Sequence, residues 1–298
     1  MTRKFNNYII LANEFREKED LQKALDAFNK AYDFALTNKE KIDSLYEIAD
    51  INLIFKNYDA AYKNYSDIIE LKNDEAGAYY GLGVVSDFLN LSLTKQRDFY
   101  LKAIELDDSY DRAYYYLAHV YLALQEDDKA KDCLNKCIEI DDMDYVSYND
   151  LASIYEQEKN YNRALELLSK SILVCPNYFR SLYNLGVVYK ALGDNQKALY
   201  YYNLAKEESS FAYIYLNMSA IYIEHKDYES AIDILTEGIF ENNDSVNLFY
   251  NRACCYKNKN EIGLAISDLK KAISINSEAY DWALNDIDLI DVVKFIKE

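Results

Sequence analysis

Residues 179–210 read FRSLYNLGVVYKALGDNQKALYYYNLAKEESS. Leu182, Leu185, Val188 and Tyr189 recur at the spacing of one helix face and stop at Gly193-Asp194. A second periodic run, Ala198, Leu199, Tyr202 and Ala205, follows. Glycine suits a helix end because it carries no Cβ to oppose a left-handed backbone, and Asp194 or Asn195 supplies a side-chain oxygen to cap the next helix. Small residues at Gly186, Ala198 and Ala205 allow the two helix backbones to approach closely. One such hairpin leaves an apolar face uncovered, so it needs copies of itself as neighbours.

The copies are present. Numbering the unit from Phe179, position 20 is Ala24, Ala61, Gln96, Ala130, Ala164, Ala198, Ala231 and Ala265, at intervals of 37, 35, 34, 34, 34, 33 and 34 residues. Position 8 is small throughout: Ala12, Ala49, Gly83, Ala118, Ala152, Gly186, Ser219 and Ala253. Position 4 is Tyr8, Leu45, Tyr79, Tyr114, Tyr148, Leu182, Tyr215 and Phe249. Position 11 runs Phe15, Asn52, Ser86, Tyr121, Tyr155, Tyr189, Tyr222 and Tyr256. Repeats therefore begin near residues 5, 42, 76, 111, 145, 179, 212 and 246.

On these positions the chain resembles the tetratricopeptide-repeat family over residues 5–278, and Pro176 falls at unit position 32, where that family often has proline. The resemblance implies an all-α, right-handed α-solenoid of antiparallel helix hairpins. The expected organisation is a single solenoid over 1–278 and a C-terminal capping helix over 279–298. Four residues depart from the pattern: Asn52 and Ser86 replace the first-helix aromatic, Gln96 the alanine, and Arg252 an aliphatic. In the last segment, Leu289, Ile290, Val293, Phe295 and Ile296 form a helical run expected to start near Asp286 or Asp288, with Trp282 packing over the last repeat's edge.

Composition narrows the function. Half the residues are hydrophobic, ample for a core, and most of the 31 tyrosines fall at packing positions, where the ring is buried and the hydroxyl reaches the surface. A net charge of −18 without a Lys/Arg stripe argues against nucleic acid, which needs a basic footprint. Acidic runs such as Glu105–Asp108 and Glu139–Asp142 read as solvated loop charge, or as a rim steering a basic partner. No stretch approaches the roughly 20 apolar residues of a membrane span, and residues 1–20 do not read as a secretion signal. The five cysteines have no paired spacing, as in a reducing compartment, so a cytoplasmic location is expected. Cys133 and Cys137 share a helix face, yet position 27 is a small core position and no further ligand completes a metal set. Cys254 is placed towards the groove. There is no glycine-rich phosphate loop and no convergent nucleophile and base. The expectation is a non-catalytic chain without cofactor or metal.

In the family, unit positions 2, 5, 6, 9, 12 and 13 face a concave groove. Position 6 of three successive repeats is Asn184, Asn217 and Asn251, and this is similar to the asparagine ladder of family members that grip extended peptides. A carboxamide both donates and accepts, so it pairs with a peptide backbone whatever the side chains. In repeat five the position is Asp150, preceded by Asn149. Arg180, Tyr183, Lys190, Tyr213 and Tyr250 are expected to line the same surface, the tyrosines stacking and the cations receiving an acidic group. A second patch is expected from Tyr46, Tyr80, Tyr115 and Tyr116 with Arg112 and His119. The carboxylate-clamp residues of some relatives are not matched, for example at Ile9 and Asn13. The expected partner is a protein or peptide, with no membrane insertion; a homodimer through the cap or an edge stays open. The alternative is a sensor whose pitch changes with a small ligand or signalling peptide, but no output domain fits before the first repeat.

Overall fold

The computed structural model describes residues 3–296. These form eighteen α-helices and no strand among the described residues, which makes the chain an all-α solenoid of consecutive helix pairs. Contacts divide it into two units, residues 1–147 and 148–298. The first contains α1 (Arg3–Glu17), α2 (Leu21–Phe34), α3 (Asn38–Ile54), α4 (Tyr58–Leu71), α5 (Ala76–Phe88), α6 (Leu93–Leu106), α7 (Asp111–Ala123) and α8 (Asp127–Ile140). The helix α9 (Tyr145–Gln157) lies mostly in the second, followed by α10 (Tyr161–Val174), α11 (Phe179–Ala191), α12 (Asn195–Glu208), α13 (Ala212–Glu224), α14 (Tyr228–Glu241), α15 (Val246–Asn258) and α16 (Ile262–Ile275). Two short helices, α17 (Glu278–Asn285) and α18 (Ile290–Val293), follow.

The hairpins owe their turns to one backbone device. Gly193 has φ of 81° and ends α11, after which Asp194 accepts from the Lys197 N–H at 3.0 Å and caps α12. The other hairpins use non-glycine residues in the same region, for instance Gln125, Lys159 and Lys226 at φ of 61°, 60° and 58°. Each costs roughly 1–2 kcal/mol relative to a right-handed backbone. Caps at Asp20, Ser92, Asn160 and Asp227 fix the following second helices.

Two helix pairs, α5–α6 and α11–α12, close where a ring meets a missing side chain. A Cβ on Gly186 would lie 2.4 Å from the Tyr202 ring, and one on Gly83 would lie 2.4 Å from Tyr100. Tyr202 and Tyr100 are buried, as is Tyr65, whose ring sits 2.5 Å from where a Cβ of Gly81 would be. The tyrosines at these positions are core residues.

The irregular residues have partners of their own. Where Tyr189 stacks on Tyr201 at 5.4 Å, the same twelve-residue spacing in the second hairpin brings buried Asn52 to Asn64, donating to its Oδ1 at 3.1 Å. Gln96 donates to the Leu91 carbonyl at 3.0 Å, and α6 is a full helix. Ser86 has no such partner among the described residues, and its hydroxyl is buried without a hydrogen bond to them. Arg252, at the aliphatic position, forks onto Asp268 with bonds of 2.7 and 2.9 Å and reaches Thr236 at 2.9 Å.

Two boundaries differ from the sequence expectation. The second hairpin starts at Asn38 rather than 42, because Thr37 and Glu40 form a reciprocal capping box. The C-terminal segment is not one helix begun near Asp286. It is helical from Glu278, breaks at Asp286 and turns again over Ile290–Val293. Leu289, Val292 and Val293 are buried against Ala253, Ala265 and Leu269, and Trp282, 38% exposed, packs on Tyr250 of the last repeat, whereas Phe295 is 64% exposed.

Gly186→Ala gains about 1 kcal/mol of helix propensity but forces overpacking of up to about 3 kcal/mol against a ring with nowhere to move. It is expected to lower the denaturant midpoint. Asp268→Ala is expected to cost about 3–5 kcal/mol by leaving the guanidinium uncompensated, while the joint change Arg252→Met with Asp268→Leu is close to neutral in the same titration.

Candidate binding faces

In the second unit, hydrogen bonds link the first helices α9, α11 and α13 through Asn149, Asn184, Tyr183 and Asn217, while Asn251 on α15 lies outside these bonds. Asn149 is only 3% exposed. Its Oδ1 accepts from Asn184 Nδ2 at 2.9 Å and from the Ser181 hydroxyl at 3.1 Å, and its Nδ2 donates to Asp150 at 3.0 Å. Asn217 donates to the Tyr183 hydroxyl at 3.0 Å. Buried hydroxyls and carboxamides need such partners, and each of these bonds joins one repeat to the next or fixes a side chain within it. Asn184 retains a second N–H and a carbonyl oxygen for another ligand, and Asn217, which also bonds the Tyr202 phenol, retains its carbonyl oxygen. Asn251 is half-buried.

Two cavities border this line. One of about 290 Å³ is lined by Asn149, Asp150, Phe179, Arg180, Tyr183 and Asn184, together with Ser153 and Phe211. Arg180 is exposed, with its guanidinium 5.6 Å from the Phe179 ring centre, and has no carboxylate partner among the described residues. The other cavity, of about 230 Å³, is bordered by Val187, Lys190, Asn217 and Ala220. The Tyr183–Asn217 pair connects residues of the two. Burial pushes the Tyr183 phenol above its ordinary range while the bond from Asn217 opposes that shift, so the hydroxyl stays protonated at neutral pH.

The remaining predicted residues are differently committed. Tyr213 is exposed and packs 5.2 Å from Phe211. Lys190 is ion-paired with Glu224 of the next repeat. Tyr250 donates to Asp286 at 2.9 Å and its ring meets Trp282 at 5.9 Å, so the C-terminal segment holds it. Cys254 sits beside the same carboxylate, at 3.9 Å. Cys254, Asp286 and Asp288 place ligand atoms within 4.8 Å of one another, a grouping the sequence reading missed because it spans the break in the last segment. The Cys254 thiol is driven upward by burial first and then by these carboxylates, so it stays protonated and serves as a donor.

In the first unit the expected aromatic patch is a cluster of tyrosines. Tyr80 lies 5.1 Å from Tyr110 and 5.9 Å from Tyr116, which in turn stacks on Tyr100 at 6.0 Å and meets Tyr115 edge-on at 5.5 Å. Tyr115 packs on His119 at 4.6 Å. Tyr46 packs against Tyr65 at 6.3 Å and lies near Tyr110, and Arg112 lies near Tyr80. A cavity of about 200 Å³ opens beside Tyr100, Tyr116 and His119.

Residues 111–142, 145–207 and 246–278 match profiles of the tetratricopeptide repeat. Over those residues the chain belongs to the tetratricopeptide-repeat family. Solved structures agree on the fold. A chain of the APC/C hetero-tetramer Cut9–Hcn1 is 20% identical with a TM-score of 0.61 over 98% of this chain, which spans 55% of that one. A tetratricopeptide repeat protein from Parabacteroides merdae ATCC 43184 is 17% identical with a TM-score of 0.63, over 85% of this chain and 97% of that one. YrrB, a repeat protein with an unusual peptide-binding site, is 22% identical with a TM-score of 0.50, over 63% of this chain and 97% of its own. No curated protein matches the sequence. At these identities the likeness is one of fold. No helix among the described residues is long and apolar enough to cross a membrane.

The repeat thiols are packing residues. Burial pushes Cys133, Cys137 and Cys255 up to about 12. At pH 8 a thiol-specific chromogenic reagent is therefore expected to reach half-buried Cys175 first and these three only on unfolding. Rapid reaction of all five in the native protein would contradict this packing.

Proposed function

We propose that the chain is a non-catalytic interaction scaffold that takes an extended peptide, or an extended segment of a partner protein, along the first-helix face of its second unit. Tetratricopeptide repeats commonly mediate protein–protein interaction, and the peptide-binding site of YrrB is in keeping with this reading. The observation that carries it is the line Asn149–Asn184 and Tyr183–Asn217, bordered by two cavities. The inter-repeat bonds pre-orient the carboxamides, so little side-chain freedom is lost when a peptide backbone arrives. Ring faces at Tyr183, Phe179 and Phe211 supply apolar contact on either side. Arg180 supplies an uncompensated cation for an acidic group in the peptide.

The test compares wild type with the Asn184/Asn217/Asn251→Ala variant in affinity capture from the source cell's lysate, with melting curves as the folding control. Each lost carboxamide bond is worth about 1 kcal/mol, so the triple change is expected to weaken a groove-bound partner at least about tenfold. Equal retention of every partner by a folded variant would remove the ladder from the account.

A further inference from the structure

We infer that the cavity of the first unit is a separate subsite that takes the cationic side chain of an arginine or lysine from a partner peptide. This inference does not rest on the asparagine line of the second unit. The cavity is formed by the ends of α5 and α7 and the start of α6. Its lining includes Asp87, Phe88, Gln96, Tyr100, Tyr116 and His119, with Val84, Leu93, Val120 and Ala123 giving an apolar wall. Tyr100 is 2% exposed and forms the floor, while Tyr116 and Phe88 are 37% and 50% exposed at the surface. Their π-faces are partially negative, and a cation over such a face is attracted to it.

Charge selects the occupant. Asp87 is the sole Asp, Glu, Lys or Arg among the residues of the lining. It is exposed and has no cationic partner among the described residues. An acidic side chain would meet both the ring faces and the Asp87 carboxylate with like charge. An apolar one would fill the wall but leave Asp87 uncompensated. A long cationic side chain satisfies each part: its methylene stem lies on the valines and Leu93, and its head reaches the rings and the carboxylate. Arg112 lies by Tyr80, outside the lining. The two faces thus differ in preference, with Arg180 bordering the larger cavity of the second unit and Asp87 the cavity of the first.

The test uses fluorescent octapeptide pools with one fixed central residue, arginine in one pool and its neutral isostere citrulline in the other. Anisotropy titrations at low salt compare wild type, Asp87→Asn and the Asn184/Asn217/Asn251→Ala variant. Wild type is expected to bind the arginine pool about tenfold more tightly than the citrulline pool. Asp87→Asn, at an exposed position that does not disturb the fold, is expected to shrink that gap to about threefold, and the asparagine variant to keep it in full. Equal binding of the two pools by wild type, absence of binding, or a gap untouched by Asp87→Asn would each overturn the subsite. Loss of the gap in the asparagine variant would show that the charge preference belongs to the second unit instead.

Discussion

The third and sixth hairpins depend on a tyrosine ring pressed onto a backbone that has no side chain to meet it. Tyr202 on Gly186 and Tyr100 on Gly83 set how closely a first helix approaches its second, and Tyr65 on Gly81 sets the distance to the next hairpin. Once backbone approach is fixed by a flat, rigid ring, the remaining apolar positions fill in around it at near-solid density. This explains why a chain with 31 tyrosines is not a tyrosine-rich surface. The rings carry area into the core, and their hydroxyls emerge at the edges, where Tyr183 meets Asn217 and Tyr250 meets Asp286.

Those emerging hydroxyls tie packing to the candidate faces. The side chains that mark each repeat also set the rise between successive carboxamides, so the asparagine line inherits its spacing from the core. Substitutions at the glycines would therefore move the candidate ligands of a peptide as well as reduce stability. The two units use the same hairpin to different ends. The second presents carboxamides and an uncompensated guanidinium, and the first presents clustered rings and a carboxylate.

Much of the fold was legible because a 34-residue period repeats the same physical demand eight times. Position 8 is small because a ring or helix must approach it, and alternatives such as Ser219 remain small. The misreadings came where a residue's partner lies far along the chain or outside the period. Nothing near Arg252 announces Asp268, sixteen residues on, as its counter-charge, and Asn52 looks like a defect until Asn64 takes the place of a stacked ring. The start of α3 was misplaced because the Thr37–Glu40 box overrides the average spacing. Of the site residues, the asparagines were visible as a periodic triplet, whereas Asn149 was visible only as a neighbour of Asp150. Tyr250 read as a ligand-stacking ring, since its engagement with Asp286 depends on a break in the last segment that helical periodicity does not reveal.

The central claim is that the carboxamides of the second unit are a binding line and not merely a structural seam. The most direct measurement follows the side-chain amide NMR signals of Asn184 and Asn217 during titration with the octapeptide pools, against Asn203 on the second helix α12 as an internal control. The account predicts that the Asn184 and Asn217 signals shift in a saturable way while Asn203 stays still. Saturable binding that leaves both unmoved, or moves all three alike, would contradict it.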